Sequence, residues 1–77
     1  MVDVNRIKQI IADEIGKNVE EITEEKDLVK DLGVDSLDAV EFIMAMEEEF
    51  GVTITDEEGS AIKTVADVIK LVEGKLN

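Results

Sequence analysis

Apolar residues recur along this chain in three stretches with helical spacing, separated by segments in which the spacing is lost. Val4, Ile7, Ile10, Ile11 and Ile15 fall at three- and four-residue steps, with Asp3 placed to cap and Gly16-Lys17 as a stop. They predict a first helix over about residues 3–15. From Gly16 to Asp35 the period weakens, and Val19, Ile22, Leu28, Leu32 and Val34 remain as apolar anchors for a long connection. A loop of that length implies function or an unrecognised helical turn. A second helix is expected from Ser36 to Phe50, with Asp35 or Ser36 as its N-cap and Gly51 closing it. Val52-Thr53-Ile54-Thr55 is β-branched but has no second strand to pair with, so it reads as extended loop. Asp56 to Ala61 supports one or two weak turns, weakened by Gly59. Thr64 then caps a last helix whose stripe is Val65, Val68, Ile69, Val72 and Leu76, with Asp67 at the capping-box position. Three main helices and one short one make an all-α four-helix bundle.

The second helix carries two apolar faces. At about 100° per residue, Ala39, Phe42, Ile43, Met46 and Phe50 gather on one side, which is the expected core face. Leu37, Val40 and Met44 gather opposite, among Glu41, Glu47 and Glu48. Scattered exposed apolar residues are ordinary. A stripe rimmed by charges of one sign, however, has the composition of a docking surface for a basic partner.

Charge sharpens that picture. Twenty Asp and Glu against eight Lys and Arg give a formal charge of -12, which disfavours nucleic acid and anionic membrane surfaces. Ten of the acids lie between Asp31 and Ile62 with no Lys or Arg among them. Their repulsion predicts marginal stability at low ionic strength, and weak divalent binding without a specific metal site. The chain has no Cys and no His, so disulfides, thiolate or imidazole metal sites, and Ser-His-Asp or Cys-His catalysis are excluded. Seventy-seven residues form a single domain, 1–77, with a thin core. No apolar run approaches the ~20 residues of a membrane span, and no secretory leader is recognised. The expectation is a cytoplasmic monomer.

Ser36 opens the second helix in this acidic stretch with no base to activate it, so it reads as a point of attachment and not as a nucleophile. Its ordinary role would be a helix cap worth ~1 kcal/mol. Asp35 can cap equally well, with Asp38 three residues on, and this frees the Ser36 hydroxyl to point outward. An anion attached there would meet the partial positive charge of a helix N-terminus. Gly33 supplies backbone freedom just ahead of it.

The run Asp31-Leu32-Gly33-Val34-Asp35-Ser36-Leu37-Asp38, followed by Val40-Glu41 and Met44 through Phe50, resembles the signature of free-standing acyl carrier proteins of fatty acid synthesis. The similarity extends over nearly all 77 residues. It implies an acyl-carrier-like fold and a non-catalytic carrier. Ser36 would hold 4'-phosphopantetheine, transferred from coenzyme A by a holo synthase (a phosphopantetheinyl transferase), with acyl groups riding on the arm as thioesters. It further implies that Asp35 and Asp38 are recognised by that transferase. Leu37, Val40, Glu41, Met44, Glu47 and Glu48 would meet fatty acid synthesis enzymes through basic docking patches. A cavity sheltering the acyl chain is expected from Phe42, Met46, Ile54, Ala61, Ile62 and Leu71, whose ordinary role is core. The chain has Thr55 where the family often has Pro, and Gly59 where it often has Ala, which predicts a looser third helix.

Other classes fit less well. A paired-carboxylate enzyme needs a cleft that so small a chain scarcely offers. A calcium loop fails on spacing, since Gly33 at its sixth position would put Leu28 first and Ala39 last. A carrier for polyketides or other specialised acyl groups, or an acidic adaptor that stays unmodified, is the remaining alternative.

Overall fold

The computed structural model describes residues 3–76. Helix α1 spans Val4–Ile15, a single 3-10 turn spans Val19–Glu21, α2 spans Ser36–Phe50, α3 Asp56–Ala61 and α4 Val65–Leu76. Among the described residues there is no strand. The residues at 52–55 are extended, as expected, and the only ladder-type pairing described is an isolated antiparallel bridge between Asp27 and Thr64.

Local chemistry explains where the helices begin. The Asp3 side chain accepts from the Arg6 backbone N–H at 3.2 Å. Thr64 accepts from Asp67 N–H at 3.3 Å, while the Asp67 carboxylate takes the N–H groups of Lys63 and Thr64 at 2.9 and 3.1 Å. These bonds satisfy donors that a helix start leaves without partners. At the far end of α2, Gly51 turns into the left-handed region (φ 66°) and its N–H returns to Glu47 O, the closure that a residue without Cβ permits most readily.

The core gathers one face of each main helix: Ile7, Ile10 and Ile11 from α1, Phe42 and Met46 from α2, and Val65, Val68, Ile69 and Val72 from α4. Ile22, Leu28, Leu32 and Val34 of the long connection are buried with them. The anchors expected for that connection therefore hold, with Val19 only partly buried against the core. Its backbone is tied down too. Leu28 N–H donates to Lys63 O at 2.9 Å, Val65 N–H to Lys26 O at 3.1 Å, and Ala66 N–H to Glu24 O at 3.0 Å. Residues 24–28 thus lie against the start of α4, a pairing of distant segments that no local pattern announces.

The acid-rich stretch is less uncompensated than its sequence suggests. Six of the ten carboxylates are hydrogen-bonded: Asp31 to Asp27 N–H, Asp35 and Asp38 to each other's N–H, Glu47 to Ile54 N–H, Glu49 to Arg6, and Glu58 to Thr55 and Lys75. Arg6 arrives from α1 and Lys75 from α4, at 2.9 and 2.7 Å, from outside the stretch. The Arg6 guanidinium holds the Glu49 carboxyl below its ordinary value, and the Lys75 ammonium does the same for Glu58.

Candidate functional site

Ser36 is the first helical residue of α2 and is exposed. The cap before it belongs to Asp35, whose Oδ1 accepts from Asp38 N–H at 2.8 Å, while Asp38 Oδ2 accepts from Asp35 N–H at 3.4 Å. Of the two caps that the sequence allows, the structure uses Asp35, which leaves the Ser36 hydroxyl out of the cap. Gly33, at φ 67°, takes the left-handed turn that leads the buried Val34 into this corner.

Two hollows flank Ser36. The larger, an open cleft of about 550 Å³, runs between α2 and α3; Ala39, Val40, Ile43 and Met44 line one side and Ile54, Gly59 and Ser60 the other. The smaller, about 350 Å³, lies toward the long connection and is lined by Leu28, Val29, Val34 and Ile62. Ser36, Ala39 and Gly59 border both. A Cβ on Gly59 would stand 3.0 Å from Ile43 Cδ1, so the glycine lets α3 approach α2 closely at this point.

The residues expected to shelter an acyl chain are distributed differently from that expectation. Ile54 lines the cleft and Ile62 the smaller hollow. Phe42 and Met46 are fully buried core, Leu71 is half-buried against the core, and Ala61 is exposed. The reason is the placement of α3, which borders the cleft with Asp56, Gly59 and Ser60, polar or small residues that gave no apolar signal in the sequence.

The start of α3 is held by bonds of its own. Thr55 Oγ1 accepts from Glu58 N–H at 3.2 Å and Thr55 N–H donates to Glu58 Oε1 at 3.0 Å, the second bond being one that proline could not make. The Glu58–Lys75 ion pair ties α3 to α4.

On the outer face of α2, Leu37 is 65% exposed, Val40 53% and Met44 55%. Val29, which the periodicity did not single out, is the most exposed large apolar side chain among the described residues at 68% and lies across Ser36 from them. Glu41 and Glu48 are exposed. Glu47 is half-buried, with its carboxylate on Ile54 N–H at 2.9 Å. An exposed hydroxyl thus stands at a helix N-terminus between two capping carboxylates, with the apolar stripe and the exposed carboxylates of Glu41 and Glu48 running along the helix from it. A phosphodiester there would be favoured by the helix dipole and next to carboxylates already engaged by backbone N–H groups. Among the described residues no helix is long and apolar enough to cross a membrane.

Residues 5–72 match the family model described as a phosphopantetheine attachment site. The fold is similar to that of an acyl carrier protein from Thermotoga maritima, with a TM-score of 0.81 and 38% identity over 95% of this chain and 85% of that one. A protein assigned as an acyl carrier protein, from Mycobacterium tuberculosis, gives a TM-score of 0.86 and 33% identity over 94% and 97% of the two chains. The acyl carrier protein of Enterococcus faecalis gives 0.77 and 26% identity over 94% and 91%.

Proposed function

Since the chain belongs to the phosphopantetheine-attachment family of acyl carrier proteins, we propose that Ser36 is the attachment residue and that the acyl groups carried are those of fatty acid synthesis. The prosthetic group is 4'-phosphopantetheine. It supplies a mobile thiol on which acyl groups are held as thioesters, chemistry that a chain without Cys cannot supply itself. The observation that carries the Ser36 assignment is the Asp35–Asp38 capping box: the helix start is satisfied without the serine, whose hydroxyl stays exposed.

The protein's own part is presentation. The carboxylates beside Ser36, Asp35 and Asp38, are engaged by backbone N–H groups of the cap, and the chain has neither His nor Cys, so in this reading the transferase provides the proton acceptor and the chain acts as its substrate. Leu37, Val40 and Met44 form the apolar part of the docking face, and Asp35, Asp38, Glu41, Glu47 and Glu48 supply its charge toward a basic enzyme. The cargo site in this reading is the α2–α3 cleft, with Ile54 kept from the expected wall and Ile62 beside it in the smaller hollow. Phe42, Met46 and Leu71 belong to the core on which that wall packs, and the exposed Ala61 lies outside it. The carrier acts as a single 1–77 domain and a monomer in the cytoplasm, serving fatty acid synthesis enzymes.

Incubation of the purified chain with coenzyme A and a broad-specificity phosphopantetheinyl transferase tests the assignment. Intact mass should rise by one phosphopantetheine, and Ser36→Ala should abolish the gain. A gain retained by Ser36→Ala would move the site elsewhere. Refusal of the arm by the wild-type chain would favour the unmodified adaptor.

A further inference from the structure

Glu47 occupies two surfaces at once. It belongs to the acidic docking face of α2, and it lines the cleft between α2 and α3. Its backbone oxygen accepts from Gly51 N–H at 2.9 Å and Val52 N–H at 3.3 Å, which closes α2. Its carboxylate reaches past them to Ile54 N–H at 2.9 Å. One residue thus organises the whole crossing from the end of α2 to Thr55, where the α3 capping box begins. Ile54 is buried and its N–H is partly shielded from water, so a lost acceptor would leave a donor poorly satisfied.

Other acids of the face divide in the same way. Asp35 and Asp38 are engaged with each other's backbone N–H groups. Glu41 and Glu48 are exposed, and among the described residues neither carboxylate has a hydrogen-bond or ion-pair partner. They lie seven residues apart on α2, about 10 Å along the axis and close to two turns.

We propose that Glu47 is a positioning residue whose carboxylate sets the α2–α3 crossing, and with it the mouth of the cleft. The cleft half of this statement rests on the reading of the cleft as the cargo site. For the bond to Ile54, the reach of the residue-47 side chain matters and its charge does not: an acceptor of the right length is required, and a shorter one cannot span to it.

The experiment compares Glu47→Gln, Glu47→Asp, Glu41→Gln and Glu48→Gln in the full chain carrying the arm. Three readouts are taken: amide hydrogen exchange at Ile54 without cargo, alkaline hydrolysis of an octanoyl thioester on the arm, and association with a holo synthase. Glu47→Asp keeps the charge and loses the reach, so Ile54 exchange and thioester hydrolysis should both rise, by about tenfold, the factor carried by loss of one hydrogen bond. Glu47→Gln loses the charge and keeps an oxygen at the same distance, so both should stay near wild type. Glu41→Gln and Glu48→Gln should slow association and leave Ile54 unchanged. Glu47→Asp behaving as wild type at Ile54, or Glu47→Gln raising Ile54 exchange as far as Glu47→Asp, would overturn the proposal. Should the octanoyl thioester on the wild-type protein hydrolyse as fast as a free pantetheine thioester, the cargo reading of the cleft fails, whereas Ile54 exchange in the unloaded protein still decides the role of Glu47.

Discussion

Ser36 is available because its neighbours do its ordinary work. A serine at the start of a helix usually accepts a backbone N–H, and here Asp35 takes that task with Asp38 reciprocating. Both acids were readable in the sequence as cap candidates, since capping depends on residues three apart. Which of Asp35 and Ser36 would act was decided by backbone geometry at the helix entry. Thr55 shows the same chemistry in α3. Its φ of -75° would accommodate proline, but proline would remove both the hydroxyl cap and the N–H that donates to Glu58. Thr55→Pro should therefore destabilise the chain by about 1 kcal/mol, read as a lower urea midpoint, with faster amide exchange concentrated in residues 56–61. A midpoint at or above wild type would show that the Thr55–Glu58 box contributes nothing.

Among the elements, α2 decides what the protein presents. Its boundaries followed from its caps, and its exposed stripe of Leu37, Val40 and Met44 followed from the 3.6-residue period. The period could not show that Val40 and Met44 also border a cleft, because the cleft exists only where α3 is laid alongside. Nor could it show the partners of α3, whose six residues carry no apolar stripe of their own. That helix is placed by Glu47, by Lys75 and by the contact of Gly59 with Ile43. Exposed carboxylates act mainly by steering, so Glu41→Lys with Glu48→Lys should slow association with a basic partner and flatten its dependence on salt, leaving dissociation largely unchanged. Stopped-flow association over a range of ionic strength checks this. Unchanged rates and slope would remove these two acids from the docking face.

At the level of the whole molecule, a charge of -12 works against a thin core. Arg6, Lys75 and several backbone N–H groups offset part of that repulsion, but Glu41, Glu48, Asp56 and Glu57 stay exposed, without a bonded partner among the described residues. Screening should therefore raise the melting temperature between low and about 0.15 M salt, where the Debye length falls to about 8 Å. Millimolar Mg²⁺ should do so more strongly per ion. A melting temperature indifferent to both would mean that the repulsion is already neutralised. Acid should act in the other direction. Lys30 N–H holds the Asp27 carboxyl below its ordinary 3.8, Arg6 lowers Glu49 and Lys75 lowers Glu58 from 4.5, and Lys63 N–H lowers Asp67 from 3.8. Each binds its proton less readily folded than unfolded, so its stabilisation is complete above the unfolded value and is lost as pH falls through the folded one. The part of stability that these four supply should be level through neutrality and decline progressively once pH drops below about 5. Urea midpoints from pH 7 to pH 3 would show the decline, and its absence would deny these four groups a role.

What the sequence determined by itself was everything set by near neighbours along the chain: helix starts, the two faces of α2, the anchors of the long connection, the want of any His or Cys to activate Ser36, and a family signature around it. Caps and periodicities act over three or four residues, and one chain suffices to read them. Tertiary structure alone decided how distant segments meet. It laid residues 24–28 against the start of α4, brought Arg6 and Lys75 to the acidic stretch, left Ala61 exposed, and set Gly59 against Ile43. It also turned Glu47 from one more surface charge into the acceptor that holds Ile54. Such contacts depend on where helices are packed, and packing is settled by the summed burial of a whole core, which no short window of residues contains.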